Sequence, residues 1–159
     1  MAAVKAALKI PVVANGDIDS PHKAQQVLRQ TGCDAVMIGR AAQGRPWIFR
    51  EVAHFLEHGA LLPPPATREV QRWLIEHLHD HYSLYGEHSG VRSARKHIGW
   101  AVRALPGGEA FRAVMNALDD GQAQLHAVTL FFDQLADRYV LLPQPSAVAA
   151  SDEQTLIAA

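Results

Sequence analysis

The sequence predicts an α/β segment followed by an all-helical segment, so that the chain is mostly helical overall. Two short apolar runs near the N-terminus, each ending in a glycine turn, are typical of buried strands. Three consecutive prolines at 63–65 interrupt this alternation, and beyond them apolar residues recur at helical spacing. The predicted domains are residues 1–58 (α/β), 59–66 (Pro-rich linker), 67–142 (helical) and 143–159 (disordered tail).

Length and composition restrict the class of protein further. The chain has 159 residues, of which 48% are hydrophobic, and a formal net charge of -1. These values exclude collagen-like and wholly disordered proteins. The single cysteine, Cys33, cannot form an internal disulfide, which favours a reducing, cytoplasmic compartment. No apolar run reaches the roughly 18 residues of a membrane span and no signal-peptide pattern is present, so we expect no membrane partner.

The α/β segment begins with a predicted strand at residues 10–14, an uninterrupted apolar run of the kind that is buried on both faces of a parallel sheet. A helix is predicted next, because Ser20 is a preferred N-cap, Pro21 suits the first helical position and Gly32 suits the C-terminus. A second strand, at residues 35–38, should pair with the first in parallel. A further helix is predicted at residues 46–57.

Beyond the prolines, four helical patterns with short connections predict an antiparallel bundle. Thr67 is the predicted cap of the first helix, which ends near Gly86. The second carries an apolar stripe from Val91 to Leu105. The third and fourth helices are predicted at residues 109–118 and 121–139.

Both glycine turns of the α/β segment follow strands, and ligands of α/β proteins bind at the carboxyl ends of parallel strands. Backbone N–H groups, a helix N-terminus and one arginine at this edge suit a phosphate group. Ordinary β-turns and helix caps are the alternative explanation of the same residues. The candidate cofactor-binding residues are Asn15, Gly16, Asp17, Gly39 and Arg40.

Charge is distributed unevenly along the chain. Residues 1–58 and 59–112 each carry 7 basic and 5 acidic side chains, whereas residues 113–159 carry 1 and 6. On the second predicted bundle helix, basic residues at spacings of three and four form a stripe beside the apolar face. Such a stripe can follow the phosphates of a folded RNA, and a solvated helix face is the alternative. The candidate RNA-binding residues are Arg92, Arg95, Lys96 and Arg103.

The chain has nine histidines, but their spacing does not predict a metal site. His77 and His81 share a helix face, which is also the apolar one, and His79 lies off that face. The sequence contains no HExxH pattern and no cysteine-based ligand set. We therefore expect no metal ion.

Four stretches of the sequence resemble bacterial tRNA-dihydrouridine synthases, most closely those of the B type. The resemblance extends from about Val4 to Tyr139. It implies the last two βα units of a TIM barrel, followed by the family's C-terminal tRNA-binding helical bundle. Enzymes of this family use FMN, with NADPH as electron donor, to reduce uridine in tRNA. The four stretches are PVVANGDI (11–18), DAVMIGRAAQGRPWIF (34–49), GVRSARKHIGW (90–100) and LPGG (105–108).

The resemblance also implies roles for individual positions. Asn15, Gly16 and Asp17 match the turn after the seventh barrel strand, which contacts FMN in this family. Gly39 and Arg40 match the turn after the eighth strand, which holds the FMN phosphate. The resemblance therefore favours the phosphate interpretation of these turns and the tRNA interpretation of the basic stripe.

The same resemblance predicts an incomplete enzyme, because a closed barrel of this kind needs about 250 residues. The family's catalytic cysteine lies in an earlier barrel loop, and Cys33 matches no catalytic position. We therefore expect no catalytic residue in this chain and no activity from it alone. The alternative is a stand-alone helical RNA-binding module that keeps a structural βα remnant. Open strand edges also predict self-association.

Overall fold

The chain divides into two compact units, with the boundary between Pro63 and Pro64. The computed structural model describes residues 1–144, so the predicted disordered tail lies, from residue 145 onward, outside the described residues. Each unit buries apolar residues of its own. No helix within residues 1–144 combines the length and the apolar character needed to cross a bilayer.

The first unit, up to Pro63, contains two strands and four helical segments. They are α1 (Ala2–Ala7), β1 (Val13–Asn15), α2 (Pro21–Thr31), β2 (Ala35–Met37), a 3-10 turn (Arg40–Ala42) and α3 (Ile48–His58). β1 and β2 pair in parallel, as predicted, with Asn15 opposite Met37. The sequence did not predict α1, which is fastened by Lys5 because its Nζ donates to Asp34 Oδ1 at 2.9 Å.

The helix α2 begins and ends where local sequence signals predict. Ser20 Oγ accepts a hydrogen bond from the backbone N–H of Lys23 at 3.3 Å, and Pro21 occupies the first turn. Gly32 follows the helix with a left-handed φ of 65°, a conformation that glycine adopts easily because it has no Cβ. α2 and α3 share a core formed by Ile18, Ala24, Ile48 and Val52.

The two strands are buried on one face only, which corrects the prediction that both faces are covered. Side chains alternate between the faces of a strand, and Ala14 is 1% exposed whereas its neighbour Val13 is 47% exposed. Val27 of α2 packs against the face that carries Ala14. Within residues 1–63 no element covers the opposite face, where Met37 is 54% exposed.

The second unit, from Pro64, contains three helices in its described part: α4 (Thr67–Val102), α5 (Gly108–Met115) and α6 (Gly121–Ala136). α4 is interrupted at Gly86, whose φ of 73° and ψ of 169° are not helical and suit almost no residue but glycine. His81 Nε2 lies 2.7 Å from Ser93 Oγ, although a straight helix would separate these residues by about 18 Å. α4 therefore folds back as a hairpin, with an N-terminal arm (67–85) and a C-terminal arm (87–102).

Close packing joins the two arms of α4 to each other and to α6. A Cβ added at Gly90 would lie 3.2 Å from Tyr82 Cα, so the arms approach closely at this point. Gln124 on α6 is fully buried; it accepts a hydrogen bond from the Tyr82 hydroxyl at 2.8 Å and donates to the Val91 carbonyl at 3.2 Å. The fully buried apolar side chains of this unit include Leu78, Ile98, Val102, Met115, Val128 and Phe132.

Thr67 holds two distant segments together and is not the cap of α4 that the sequence predicts. The cap position is Ala66, which has no side chain able to cap. The Thr67 side chain is fully buried, and its hydroxyl donates to the Tyr139 carbonyl at 2.6 Å. The Thr67 backbone N–H donates to the Val140 carbonyl at 2.9 Å. The start of α4 is therefore fixed by the chain that follows α6.

Candidate functional site

The two glycine turns of the first unit meet at one edge of the parallel strand pair. The turn at 15–17 follows β1, and Gly39 and Arg40 follow β2. Because the strands are parallel and in register, both turns lie at the carboxyl ends. There the Arg40 guanidinium donates to the Asp17 carboxylate, and both side chains are more than four-fifths exposed, at 81% and 82%.

The backbone at this edge is open to a ligand. A Cβ added at Gly16 or at Gly39 would have no heavy atom within 4 Å. Asn15 is exposed, and its Nδ2 lies 3.4 Å from Met37 Sδ. The structure thus places the five candidate cofactor-binding residues along one accessible edge.

The chemistry of this edge fits the phosphate end of a nucleotide. Arg40 is exposed and can offer charge-assisted hydrogen bonds, and a phosphate would replace the Asp17 carboxylate as its partner. Arg45, which follows closely in sequence, has a different role. Its guanidinium donates to Glu51 Oε2 at 2.6 Å. This contact ties the segment before α3 to the first turn of that helix.

The second unit has a basic cleft between the C-terminal arm of α4 and α5. Its volume is about 410 Å³. Two candidate RNA-binding residues, Lys96 and Arg103, lie on its wall and are exposed. Arg92 is also exposed but does not line the cleft. The lining residues are Arg95, Lys96, Gly99, Trp100, Arg103, Glu109, Arg112 and Asn116.

Arg95 borders the cleft, but its guanidinium is already bonded to other residues of the unit. Its side chain is 26% exposed and pairs with Asp119, and it donates to the Leu118 carbonyl at 3.0 Å. Arg95 therefore anchors the loop between α5 and α6. Arg112 on the opposite wall lies 3.3 Å from Glu109. Lys96 lies over the Trp100 ring, with its Nζ 5.2 Å from the ring centroid.

Three histidines of α4 gather at one place in the hairpin. His77 and His81 belong to the N-terminal arm and His97 to the C-terminal arm, and one ring nitrogen of each lies within 4.8 Å of the others. His81 is buried, His97 is half-buried and His77 is exposed. Spacing along one helix paired His77 with His81 but missed His97, because only the reversal at Gly86 brings the second arm alongside.

Burial lowers the pKa of two of these histidines. Desolvation is the largest cause for both His81 and His97, and the charges of His77 and Lys96 lower the pKa further. The two imidazoles are therefore held in the neutral form at neutral pH.

These features define a class of protein: an α/β unit with an exposed arginine and open glycine turns at its strand ends, followed by a helical unit with a basic cleft. A sequence model of the family described as "Dihydrouridine synthase (Dus)" matches residues 1–136. The chain therefore belongs to the dihydrouridine synthase family, as the resemblance predicted.

Individual relatives agree with this assignment. The chain is 58% identical over 135 residues to tRNA-dihydrouridine synthase B of Xanthomonas campestris pv. campestris. The aligned residues make up 85% of this chain and 41% of that protein. It is 57% identical over 132 residues to the protein of the same name from Pseudomonas aeruginosa, covering 83% of this chain and 40% of the relative. For the Yersinia pestis protein the identity is 52% over 134 residues, covering 84% and 42%. The chain thus spans about two fifths of the length of the curated relatives it matches.

Proposed function

We propose that this chain supplies the flavin-phosphate edge and the tRNA-binding surface of a cytoplasmic tRNA-dihydrouridine synthase, as its C-terminal portion. Such an enzyme is an oxidoreductase that reduces uridine in tRNA with FMN and NADPH. Family membership over residues 1–136 supports the reaction class. The observation that carries the assignment of parts is the basic cleft of the second unit, where Lys96 and Arg103 line one wall.

At the strand ends, the role of this chain is to bind and orient the phosphate of FMN. Arg40 contributes the positive charge, and the open backbone at Gly16 and Gly39 lets a phosphate approach closely. Asn15 adds an amide at the same edge, and Asp17 holds Arg40 until the phosphate replaces it. FMN, when bound, supplies the hydride chemistry.

We assign no proton donor for the uracil ring to the residues that the structure describes at this edge. Cys33 is 7% exposed and packs with Val12 and Ala14, and it precedes β2, whereas Gly39 and Arg40 follow that strand. Reduction of uridine needs a proton as well as a hydride, so the proton donor belongs to the part of the enzyme that the relatives carry outside the aligned two fifths. We therefore expect this chain to be inactive alone.

In the second unit, the C-terminal arm of α4 contacts tRNA through phosphates. Lys96 and Arg103 provide exposed charge on the wall of the cleft, and Arg92 extends it along the arm. Arg95 contributes by holding the wall in place through Asp119 and Leu118. Phosphate contacts of this type fix the orientation of a folded RNA without reading its sequence.

The tRNA surface is tested by removing charge from the cleft wall. We expect Lys96→Gln with Arg103→Gln to weaken tRNA binding at least about tenfold and to reduce the salt slope by about one to two units. The matched control is Lys9→Gln with Arg29→Gln, which removes two exposed charges from the first unit. Equal losses in both double variants, or no loss in either, would contradict the assignment. Binding is measured by fluorescence anisotropy at several salt concentrations.

The flavin edge is tested with a titration of FMN fluorescence. In a polypeptide that includes the remainder of the relatives' length, Arg40→Gln should lower FMN occupancy, whereas Arg29→Gln should not. The chain of 159 residues should bind tRNA but show no tight FMN binding, and micromolar FMN affinity of this chain alone would refute the division of roles.

The same pair of measurements separates the second candidate function, a stand-alone helical RNA-binding module. The observation that favours it is that the helical unit is compact and has its own core in the part that the structure describes, residues 64–144. If tRNA binding persists and flavin occupancy is insensitive to Arg40 even in the longer polypeptide, the module is the better description.

A further inference from the structure

We propose that His77, His81 and His97 form a binding site for a divalent transition metal, Zn²⁺ by preference, that fastens the two arms of α4 together. The spacing of histidines along one helix argued against a metal, because it supplied only two ligands on one face. The hairpin supplies the third ligand from the other arm. Imidazole is a favoured ligand of zinc and of its neighbours among the transition metals.

The three rings are already close to a metal-binding arrangement. The ring centroid of His77 lies 5.9 Å from that of His81 and 5.0 Å from that of His97, and His81 and His97 are 5.1 Å apart. In a tetrahedral site with Zn–N bonds of about 2.0–2.1 Å, ligand nitrogens are about 3.3 Å apart. The nitrogens of the cluster lie within 4.8 Å of one another, so modest ring rotations close the site. His77 is exposed, so its ring can turn toward the other two on the solvent side.

The burial of the rings also suits a metal. Two of the three ligands are removed from bulk water, because His81 is buried and His97 is half-buried, and imidazole binds a metal in its neutral form. The exposed ring, His77, completes the set from the solvent side.

A second layer of contacts orients the buried ring. The Ser93 hydroxyl donates to the Ser89 carbonyl at 2.7 Å, so it accepts a hydrogen bond from His81 Nε2–H at 2.7 Å. This bond favours the tautomer of His81 whose lone pair is on Nδ1, the nitrogen that we assign to the metal. Histidine ligands in known metal sites donate their other ring N–H to an oxygen in the same way.

Aromatic rings surround the cluster. Tyr85 lies 4.7 Å from His81, centroid to centroid, and Trp100 packs edge-on against His97 at 5.3 Å. With three protein ligands in the described residues, the fourth tetrahedral position is left to water or to an added ligand. Trp100 also provides a reporter, because paramagnetic ions bound to His97 should quench its fluorescence.

The proposal is tested by titrating the untagged chain with Zn²⁺ by calorimetry and with Co²⁺ by visible absorption. All titrations use a chain that carries His58→Gln. This substitution removes a second pair of histidines on α3 that could also bind a metal, His54 and His58, whose ring centroids are 4.5 Å apart. We expect one metal ion per chain, the intense visible bands of tetrahedral Co²⁺, and a higher melting temperature in the presence of Zn²⁺.

Three variants separate a metal site from mere packing. His77→Gln changes an exposed residue, so it should preserve the fold and lower Zn²⁺ affinity at least about tenfold. Ser93→Ala retains all three ligands and should lower affinity by about 10–100-fold. His79→Gln, an exposed histidine of the same arm outside the cluster, should leave the affinity unchanged. Equal affinity of the His77 and His79 variants, or the absence of saturable binding in the parent chain, would overturn the proposal.

Discussion

Gln124 forms hydrogen bonds with both arms of α4. It is fully buried, and its partners are the hydroxyl of Tyr82 on one arm of α4 and the carbonyl of Val91 on the other. Buried polar groups are costly unless they are hydrogen-bonded. The cost of breaking this network explains why we expect Tyr82 to be sensitive to substitution and to pH.

Tyr82 should give the second unit a stability that falls at alkaline pH. Burial, followed by the charges of Glu87 and Asp120, raises the pKa of Tyr82 to about 12, whereas an unfolded tyrosine ionises near pH 10. The folded state thus favours the neutral phenol, so this contribution is complete below about pH 10 and is lost as pH rises from about 10 to 12. Urea unfolding at a series of pH values measures the effect.

Tyr82→Phe should remove this part of the pH dependence. At neutral pH it should also lower the free energy of unfolding by about 1–3 kcal/mol, because Gln124 loses a partner. Tyr85→Phe is the control, since Tyr85 is 57% exposed. An alkaline stability profile of Tyr82→Phe identical to that of the parent chain would show that the phenol is not the group responsible.

Local sequence signals correctly predicted the features that depend on interactions within one helical turn. Ser20 and Gly32 mark the ends of α2, because a cap acts within one helical turn. Thr67 is of a residue type that often caps helices, but its hydroxyl donates to the Tyr139 carbonyl, 72 residues away in the sequence. His97 joins the histidine cluster only through the hairpin. No sequence window contains the partners of the last two residues, so pattern and spacing could not assign them.

Among the elements, the corner between α4 and α5 depends on a residue without a side chain. A Cβ added at Gly108 would lie 1.9 Å from the Val102 carbonyl oxygen, and the Gly108 N–H donates to the Leu105 carbonyl at 2.9 Å. The clash involves backbone, so it cannot be relieved by a side-chain rotation. Any larger residue must separate the two helices.

Gly108→Ala should therefore lower the free energy of unfolding by about 1–3 kcal/mol, the usual cost of overpacking. Gly99→Ala is the matched variant, because its Cβ would lie 3.6 Å from Arg112, an ordinary contact distance. In a helix interior this substitution should stabilise by up to about 1 kcal/mol. Denaturant unfolding followed by circular dichroism measures both. Similar free energies for the two variants would contradict the steric account of the corner.

Elements were predicted better in type than in extent. The parallel pairing of β1 and β2 follows from two apolar runs on either side of a capped helix, and the structure contains it. The strands are shorter than the apolar runs, because only three residues of each are paired. An apolar run indicates which residues prefer burial. The length of a strand, however, depends on how many of its residues pair with the neighbouring strand.

For the whole molecule, the uncovered face of the first unit has consequences in solution. Val13 and Met37 are 47% and 54% exposed, and Ile10 is 63% exposed. Exposed apolar side chains beside unpaired strand edges favour association.

We expect this chain to self-associate with increasing concentration and the double variant Val13→Thr with Met37→Thr to remain monomeric to higher concentrations. Threonine keeps the strand preference of these positions while reducing their apolar surface. Leu84→Thr with Val140→Thr removes exposed apolar surface from the second unit, where the side chains are 76% and 80% exposed. Sedimentation velocity at several concentrations measures the difference. Equal association of the two double variants would place the interface elsewhere.

At the same scale, sequence reasoning could identify the candidate site only in part. The strand-end residues follow from the general geometry of parallel sheets, and the structure brings Arg40 beside Asp17 at one edge. Helical spacing predicts the basic stripe, because it shows which side chains share one face of the helix. Spacing does not show which of these side chains form ion pairs, so it could not reveal that Arg95 is bound to Asp119 while Lys96 remains exposed. Trp100, Arg112 and Asn116 join the cleft through tertiary packing alone.

The reversal at Gly86 also bears on the order in which the second unit assembles. Its arms meet through contacts such as His81 with Ser93 and His77 with His97, which are 12 and 20 residues apart. The contacts of Tyr82 with Gln124 and of Thr67 with Tyr139 span 42 and 72 residues. Closing a short loop costs less chain entropy than closing a long one, and local contacts form early in folding. We therefore expect the hairpin to form first and to serve as the template on which α6 docks.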